Sequence, residues 1–135
     1  YVKQMNLPVF NIQSHSKKYK HSDITIHNIM PGELVAYINK ATLILTDSFH
    51  GTAFSVNFNK NFVAIINQKN PVRVESLLAS VGLCERTDAY LENCLDPIDY
   101  KTVNKKLEHL RNESREWLLS SLQGQKKEVH RNEFY

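Results

Sequence analysis

Thr42-Leu43-Ile44-Leu45-Thr46-Asp47-Ser48-Phe49-His50-Gly51-Thr52-Ala53-Phe54-Ser55-Val56-Asn57-Phe58 decides how this chain folds. Its first five residues are an apolar run closed by hydroxyls, the pattern of a strand covered on both faces of a parallel sheet, so a buried strand is predicted over 42–46. From Thr52 to Phe58 the pattern becomes helical, with Phe54 and Phe58 four apart on one face. A strand that ends in a polar turn and opens directly into a helix is how parallel α/β proteins build anion sites. Exposed backbone N–H groups and the positive end of the helix dipole converge there. His50, an imidazole able to give or take a proton, lies in that turn.

Downstream, Asn57-Phe58-Asn59-Lys60-Asn61 breaks the helix and Phe62-Val63-Ala64-Ile65-Ile66 reads as a second buried strand, completing a βαβ unit with a right-handed crossover. Asn67-Gln68-Lys69-Asn70-Pro71 is then a strand-to-helix loop on the same sheet edge as the His50 turn. The helix it opens turns Val74, Leu77, Leu78 and Val81 inward, and Gly82-Leu83 matches a left-handed C-terminal cap with its hydrophobic contact. Cys84 to Asp96 shows no pattern. From about Pro97 onward Val103, Leu107, Leu110, Trp117, Leu118 and Leu122 trace one stripe, predicting a helix of roughly 20 residues ended by Gly124. Phe54, Phe58 and Trp117 are read as core.

Upstream, Pro31 suits the first helical position and Glu33 the first turn, with Leu34, Ile38 and Ala41 at helical spacing. Val9 to Ile12 reads as a short strand, and the polar, basic stretch from Ser14 to Asp23 as a surface loop. The expected class is therefore α/β, a Rossmann-like parallel sheet with flanking helices. One lobe is expected over 1–124, followed by a weakly ordered tail over 125–135.

The formal charge of +3 is uneven: residues 1–100 hold nine basic and nine acidic side chains, and residues 101–135 hold eight against five. In that last part Lys105, Lys106, Arg111 and Arg115 alternate with Glu108, Glu113 and Glu116, as on a solvated helix face, and no aromatics are interleaved as a nucleic-acid reader needs. Cys84 and Cys94 lack histidines at zinc-ligand spacing and read as reduced structural thiols; no metal and no cofactor are expected. No apolar run approaches the roughly 20 residues of a membrane span, so a cytoplasmic protein is expected. The chain opens on Tyr1 without a leader, so a piece of a longer protein is expected. His15, His21, His27, His109 and His130 have no ligand-like company and read as surface residues.

The loops after Thr46 and Ile66 should line one crevice beyond the carboxyl ends of the strands. They supply Ser48 and Thr52 as hydroxyl donors, Gly51 for close backbone approach, Asn67, Lys69 and Arg73, the last a bidentate fork for phosphate or carboxylate. His50 is the candidate acid or base, and Asp47 is read as the helix N-cap. Ser48 and His50 would share a face if the segment is extended, yet neither an orienting third residue nor a nucleophile-elbow pattern accompanies them.

Pro31-Gly32-Glu33, Ile38-Asn39-Lys40-Ala41, Leu43 through Ser55 with its Thr-Asp-Ser-Phe-His-Gly core, Asn59-Lys60-Asn61-Phe62 and Asn70 to Leu78 with Arg73 together resemble the C-terminal part of the polysaccharide pyruvyl transferase family, over roughly residues 30 to 86. The resemblance implies a GT-B-like fold of two Rossmann-like lobes, this chain being one and the N-terminal lobe lying elsewhere. It implies transfer of an enolpyruvyl unit from phosphoenolpyruvate to sugar hydroxyls of a glycan acceptor in bacterial surface polysaccharide synthesis, in the cytoplasm or at the inner face of the membrane. By similarity His50 contacts the phosphate or acts as general acid, the amides of Gly51 and Thr52 receive phosphate oxygens, and Arg73 holds an anionic group. Some members carry an arginine where Ser48 stands, so the charge must come from Arg73, Lys69 or the other lobe. Two competing readings stand beside this one. One is a GT-B glycosyltransferase lobe binding a nucleotide sugar in the same crevice; the other is a non-catalytic domain whose long amphipathic helix packs on a partner.

Overall fold

The structure, a computed structural model, describes residues 6–13, 21–66, 71–93 and 96–123, with the side chains of 91–93 left aside. The chain forms two compact units, 1–42 and 43–135. In the first, β1 (Phe10–Gln13) and β2 (Ile24–His27) pair in parallel with Phe10 opposite Ile24 and Gln13 opposite His27. Asp23 ties the entry to β2 back to β1: its carboxylate accepts from the Val9 amide at 2.7 Å, and its own amide donates to the Val9 carbonyl at 3.0 Å. The helix α1 (Pro31–Lys40) starts where Pro31 and Glu33 place it, with the Glu33 carboxylate accepting from the Met30 amide at 2.9 Å. The strand β2 is absent from the sequence reading, which held 24–27 in no element.

The second unit contains the deciding stretch. The strand β3 (Leu43–Thr46), helix α2 (Phe49–Asn57) and strand β4 (Asn61–Ala64) form the βαβ unit, with β3 and β4 parallel and Leu43 opposite Asn61 through Thr46 opposite Ala64. Next, α3 (Val72–Val81) ends in Gly82 at φ +75°, and the Leu83 amide reaches the Leu78 carbonyl at 2.8 Å, which is the left-handed cap read from the sequence. The chain then returns beside β4: the Ala64 amide donates to the Arg86 carbonyl at 2.8 Å and Thr87 forms a parallel bridge with Ala64. A short 3₁₀ segment (Asp88–Asn93) leads toward α4 (Tyr100–Leu122). Asp99 caps α4, and the Thr102 hydroxyl donating to it at 2.6 Å holds its carboxyl below the ordinary value.

Parallel pairing in both sheets, with a helix connecting β3 to β4, makes this an α/β chain of Rossmann-like character, as expected. Its second-unit core is Val56, Phe62, Ala64, Val74, Leu78, Val81, Leu83 and Val103, with Ile44, Phe49, Ile66, Tyr100, Leu107 and Leu110 packed against it. The last helix is pinned to the βαβ unit by polar contacts as well. The Tyr100 hydroxyl donates to the Lys60 carbonyl at 2.5 Å and lies 3.3 Å from that of Ser55, and Arg111 donates to the Asn57 side chain at 2.7 Å.

Three expectations need correction. The helix α2 starts at Phe49 rather than Thr52, so Phe49, His50 and Gly51 are helical. β4 spans Asn61–Ala64, so Ile65 and Ile66 follow the strand, although the Ile65 amide still reaches the Thr46 carbonyl at 2.8 Å. Trp117 is not core: it is 54% exposed, with Leu118 at 52% and Leu122 at 75%. The reason is length. α4 has 23 residues and α3, which packs beside it, has 10; at about 1.5 Å per residue the longer helix outruns its neighbour by roughly 20 Å. Phe54 and Phe58 are partly buried and stack on each other with ring centroids 6.0 Å apart. Cys84 is an exposed free thiol, while Cys94 and the tail from 124 lie outside the described residues. No helix among the described residues is long and apolar enough to cross a membrane.

Candidate functional site

The turn after β3 is built by hydroxyls. Thr46 Oγ1 accepts from the Ser48 amide at 3.1 Å, which turns the chain at the end of the strand. Ser48, extended at φ −99° and ψ 131°, is the N-cap of α2, and its Oγ accepts from the Gly51 amide at 3.4 Å. The Asp47 expectation is therefore corrected: with the helix beginning at Phe49, the capping position falls one residue later, and Asp47 is exposed. The Ser48 carbonyl accepts from the Thr52 amide at 2.9 Å and from the Thr52 hydroxyl at 3.1 Å, and the buried Ser55 hydroxyl donates to the Gly51 carbonyl at 2.7 Å.

These bonds reassign several sequence candidates. Thr52 is wholly buried and its hydroxyl is engaged inside the turn, so it offers nothing to a surface ligand. The Gly51 and Thr52 amides, expected to meet phosphate oxygens, already serve the cap and the first helical bond. Gly51 does allow a close approach, but to Thr46: a Cβ added at Gly51 would fall on Thr46 Oγ1 and 3.0 Å from Thr46 Cβ. Only a residue without a side chain lets α2 start this close to the end of β3. The first-turn amides to which the helix gives no acceptor are those of Phe49 and His50.

His50 is exposed on the first turn of α2, and Ser48 beside it is exposed as well. The half-buried Phe49 ring stands edge to the His50 imidazole, with centroids 5.8 Å apart and planes at 78°. The guanidinium of Arg73, on the first turn of α3, lies 4.5 Å from the centroid of the Phe49 ring. His50 and Arg73, 23 positions apart in the sequence, thus both lie against the Phe49 ring, while Thr52 is turned inward. Asn67 and Lys69 lie outside the described residues. The sequence reading missed Phe49; the signal on hand was an aromatic residue beside the histidine, followed by an arginine just after the next helix-opening proline.

Because β3 and β4 are parallel, α2 and α3 both begin beyond the same ends of the strands. Two helix N-termini and a guanidinium make that edge electropositive, suited to a small anion, with an imidazole within the first turn to exchange a proton.

An α/β chain of Rossmann-like character, with two helices opening at one edge of its second sheet, is the class these observations define. A sequence model of the family Polysaccharide pyruvyl transferase matches residues 2–69, half of the 135 residues, and the chain belongs to that family. The match begins well before the resemblance traced from residue 30, taking in β1 and β2, and ends at 69, so it includes Ser48, His50, Gly51, Thr52 and Asn67 and stops short of Arg73. No curated protein and no solved structure matches the chain.

Proposed function

We propose that this chain is one lobe of an enzyme that moves the enolpyruvyl unit of phosphoenolpyruvate onto sugar hydroxyls in bacterial cell-surface polysaccharide synthesis, in the cytoplasm or at the inner face of the membrane. The observation that carries the reading is the placing of His50 and Arg73 against one ring, Phe49, at a sheet edge where two helices begin, in a chain of a transferase family. Phosphoenolpyruvate carries a phosphate and a carboxylate. The Phe49 and His50 amides with the α2 dipole take one anionic group, and Arg73 takes another as a bidentate fork. Ser48 contributes by holding the turn that aims those amides.

His50 is the general acid in this scheme. Its proton goes to the methylene carbon of the donor as a sugar hydroxyl adds to the neighbouring carbon and returns its own proton to the imidazole; a second hydroxyl then displaces phosphate, which leaves with that hydroxyl's proton, giving a ketal with the methylene now a methyl group. The other lobe supplies the acceptor surface and closes the site.

This lobe alone is expected to lack turnover, so the test is phosphate release from phosphoenolpyruvate by the full-length, two-lobe protein in the presence of candidate glycans, with His50→Ala beside the parent. A loss of roughly 10²-fold or more is expected from removing a general acid, with the thermal midpoint unchanged because the imidazole is exposed. Full activity in the variant removes His50 from the chemistry. Stabilisation by nucleoside diphosphates and not by phosphoenolpyruvate would instead indicate a nucleotide-sugar glycosyltransferase.

A further inference from the structure

We infer that Phe49 is a positioning residue for the donor: one ring fixes the spacing between the Arg73 guanidinium and the His50 imidazole. The inference rests on the donor site proposed above and adds to it a residue that none of the expected contacts includes.

An exposed arginine carries many rotamers, and a fork that binds an anion only in one of them loses affinity to the rest. Arg73 is exposed, yet its guanidinium lies 4.5 Å from the centroid of the Phe49 ring, within cation–π range. That ring is itself held. Phe49 packs against the buried cluster and occupies the first position of α2, whose start is set by the Ser48 cap and by the pressing of Gly51 on Thr46. The His50 imidazole meets the same ring edge-on with centroids 5.8 Å apart. Two polar groups from helices that start 23 positions apart are thus referenced to one rigid aromatic plate anchored in the core. A leucine at 49 would fill much the same core volume and lack the π face.

The experiment measures the affinity of the protein for phosphoenolpyruvate by calorimetry in the parent, Phe49→Leu, Phe49→Tyr, Arg73→Ala and the double variant Phe49→Leu/Arg73→Ala. A two-dimensional ¹H–¹⁵N spectrum of the Arg73 side chain accompanies it. The parent's Arg73 Nε–H signal should stand upfield from the ring current and move to the ordinary position in Phe49→Leu. Affinity should fall about two- to five-fold in Phe49→Leu, the range of an exposed cation–π contact. Phe49→Tyr should keep the parent value. In the Arg73→Ala background the leucine should add nothing, since the ring then has no guanidinium to hold. Independent, additive losses in the double variant overturn the inference, and so does an unchanged affinity in Phe49→Leu while Arg73→Ala binds weakly; in both cases the donor site stands. A parent protein that does not bind phosphoenolpyruvate at all removes the donor site and this inference with it. If Phe49→Leu does not fold, Phe49→Met takes its place in every comparison.

Discussion

The two units use the same motif, a pair of short parallel strands with a helix, and differ in how much each buries. Among the described residues of the first unit the one buried hydrophobic side chain is Ile38, and Phe10, Ile24, Met30 and Tyr37 are 39–65% exposed. The second unit buries Phe62, Leu78, Val56 and Val81 to 1% or less. A two-stranded parallel sheet with one helix covers one face of its strands at most, whereas α2, α3 and α4 all pack into the core around β4; β3, expected to be covered on both faces, has no helix over Leu45, which is 55% exposed. Fold stability is therefore concentrated in residues 43–123, and the turn that positions His50 is built into that rigid part.

The largest effect that tests this contrast comes from cavities. Leu78→Ala should cost about 2–5 kcal/mol because the side chain is wholly buried, and Ile38→Ala distinctly less, since its surroundings are open enough to close over the gap. Urea unfolding of both variants decides it, and equal losses would erase the distinction between the units. Glycines sharpen it next. Gly51→Ala should destabilise by roughly 1–3 kcal/mol through the clash with Thr46, whereas Gly32→Ala, with nothing within 4 Å of the added methyl, should be neutral or stabilise by up to about 1 kcal/mol. Thermal midpoints of the pair read both signs, and Thr46→Ala should relieve part of the Gly51→Ala defect.

The smallest effect is a pH window. Burial pushes the Tyr100 hydroxyl up to about 12, offset only in part by the charge of Arg86. A folded-state pKa above the unfolded value of 10.0 means that the contribution is complete below pH 10 and is lost as pH rises toward 12. The difference in unfolding free energy between the parent and Tyr100→Phe should therefore hold constant below pH 10 and narrow above it, by about 2 kcal/mol at most. A difference that stays flat up to pH 12 would show that the hydroxyl titrates equally in both states.

Much of this architecture was legible because it is local. The run from Leu43 to Thr46, Pro31 opening α1, and Gly82 with Leu83 each carry their conformation in their own chemistry. What could not be read depends on partners distant in sequence. Ile24 to His27 is strand because it finds β1 beside it. Trp117 fits the apolar stripe of α4, and no periodicity says that α3 stops short of it. In the sequence Thr52 and Gly51 look ligand-facing because a hydroxyl and a glycine in a turn suit an anion. The neighbours that claim them, Ser48 and Thr46, do so only once α2 begins at Phe49. His50 and Arg73 were both legible as chemistry, and the ring between them was not, since an aromatic residue advertises packing before anything else.

The overhang of α4 has a spectroscopic consequence. Trp117 is the chain's only tryptophan and is largely wetted, so its fluorescence maximum in the native protein lies toward the red and is insensitive to collapse or loss of the β3–β4 core. The same indole becomes a built-in reporter for whatever comes to dry that end of the helix, registering contact there as a blue shift.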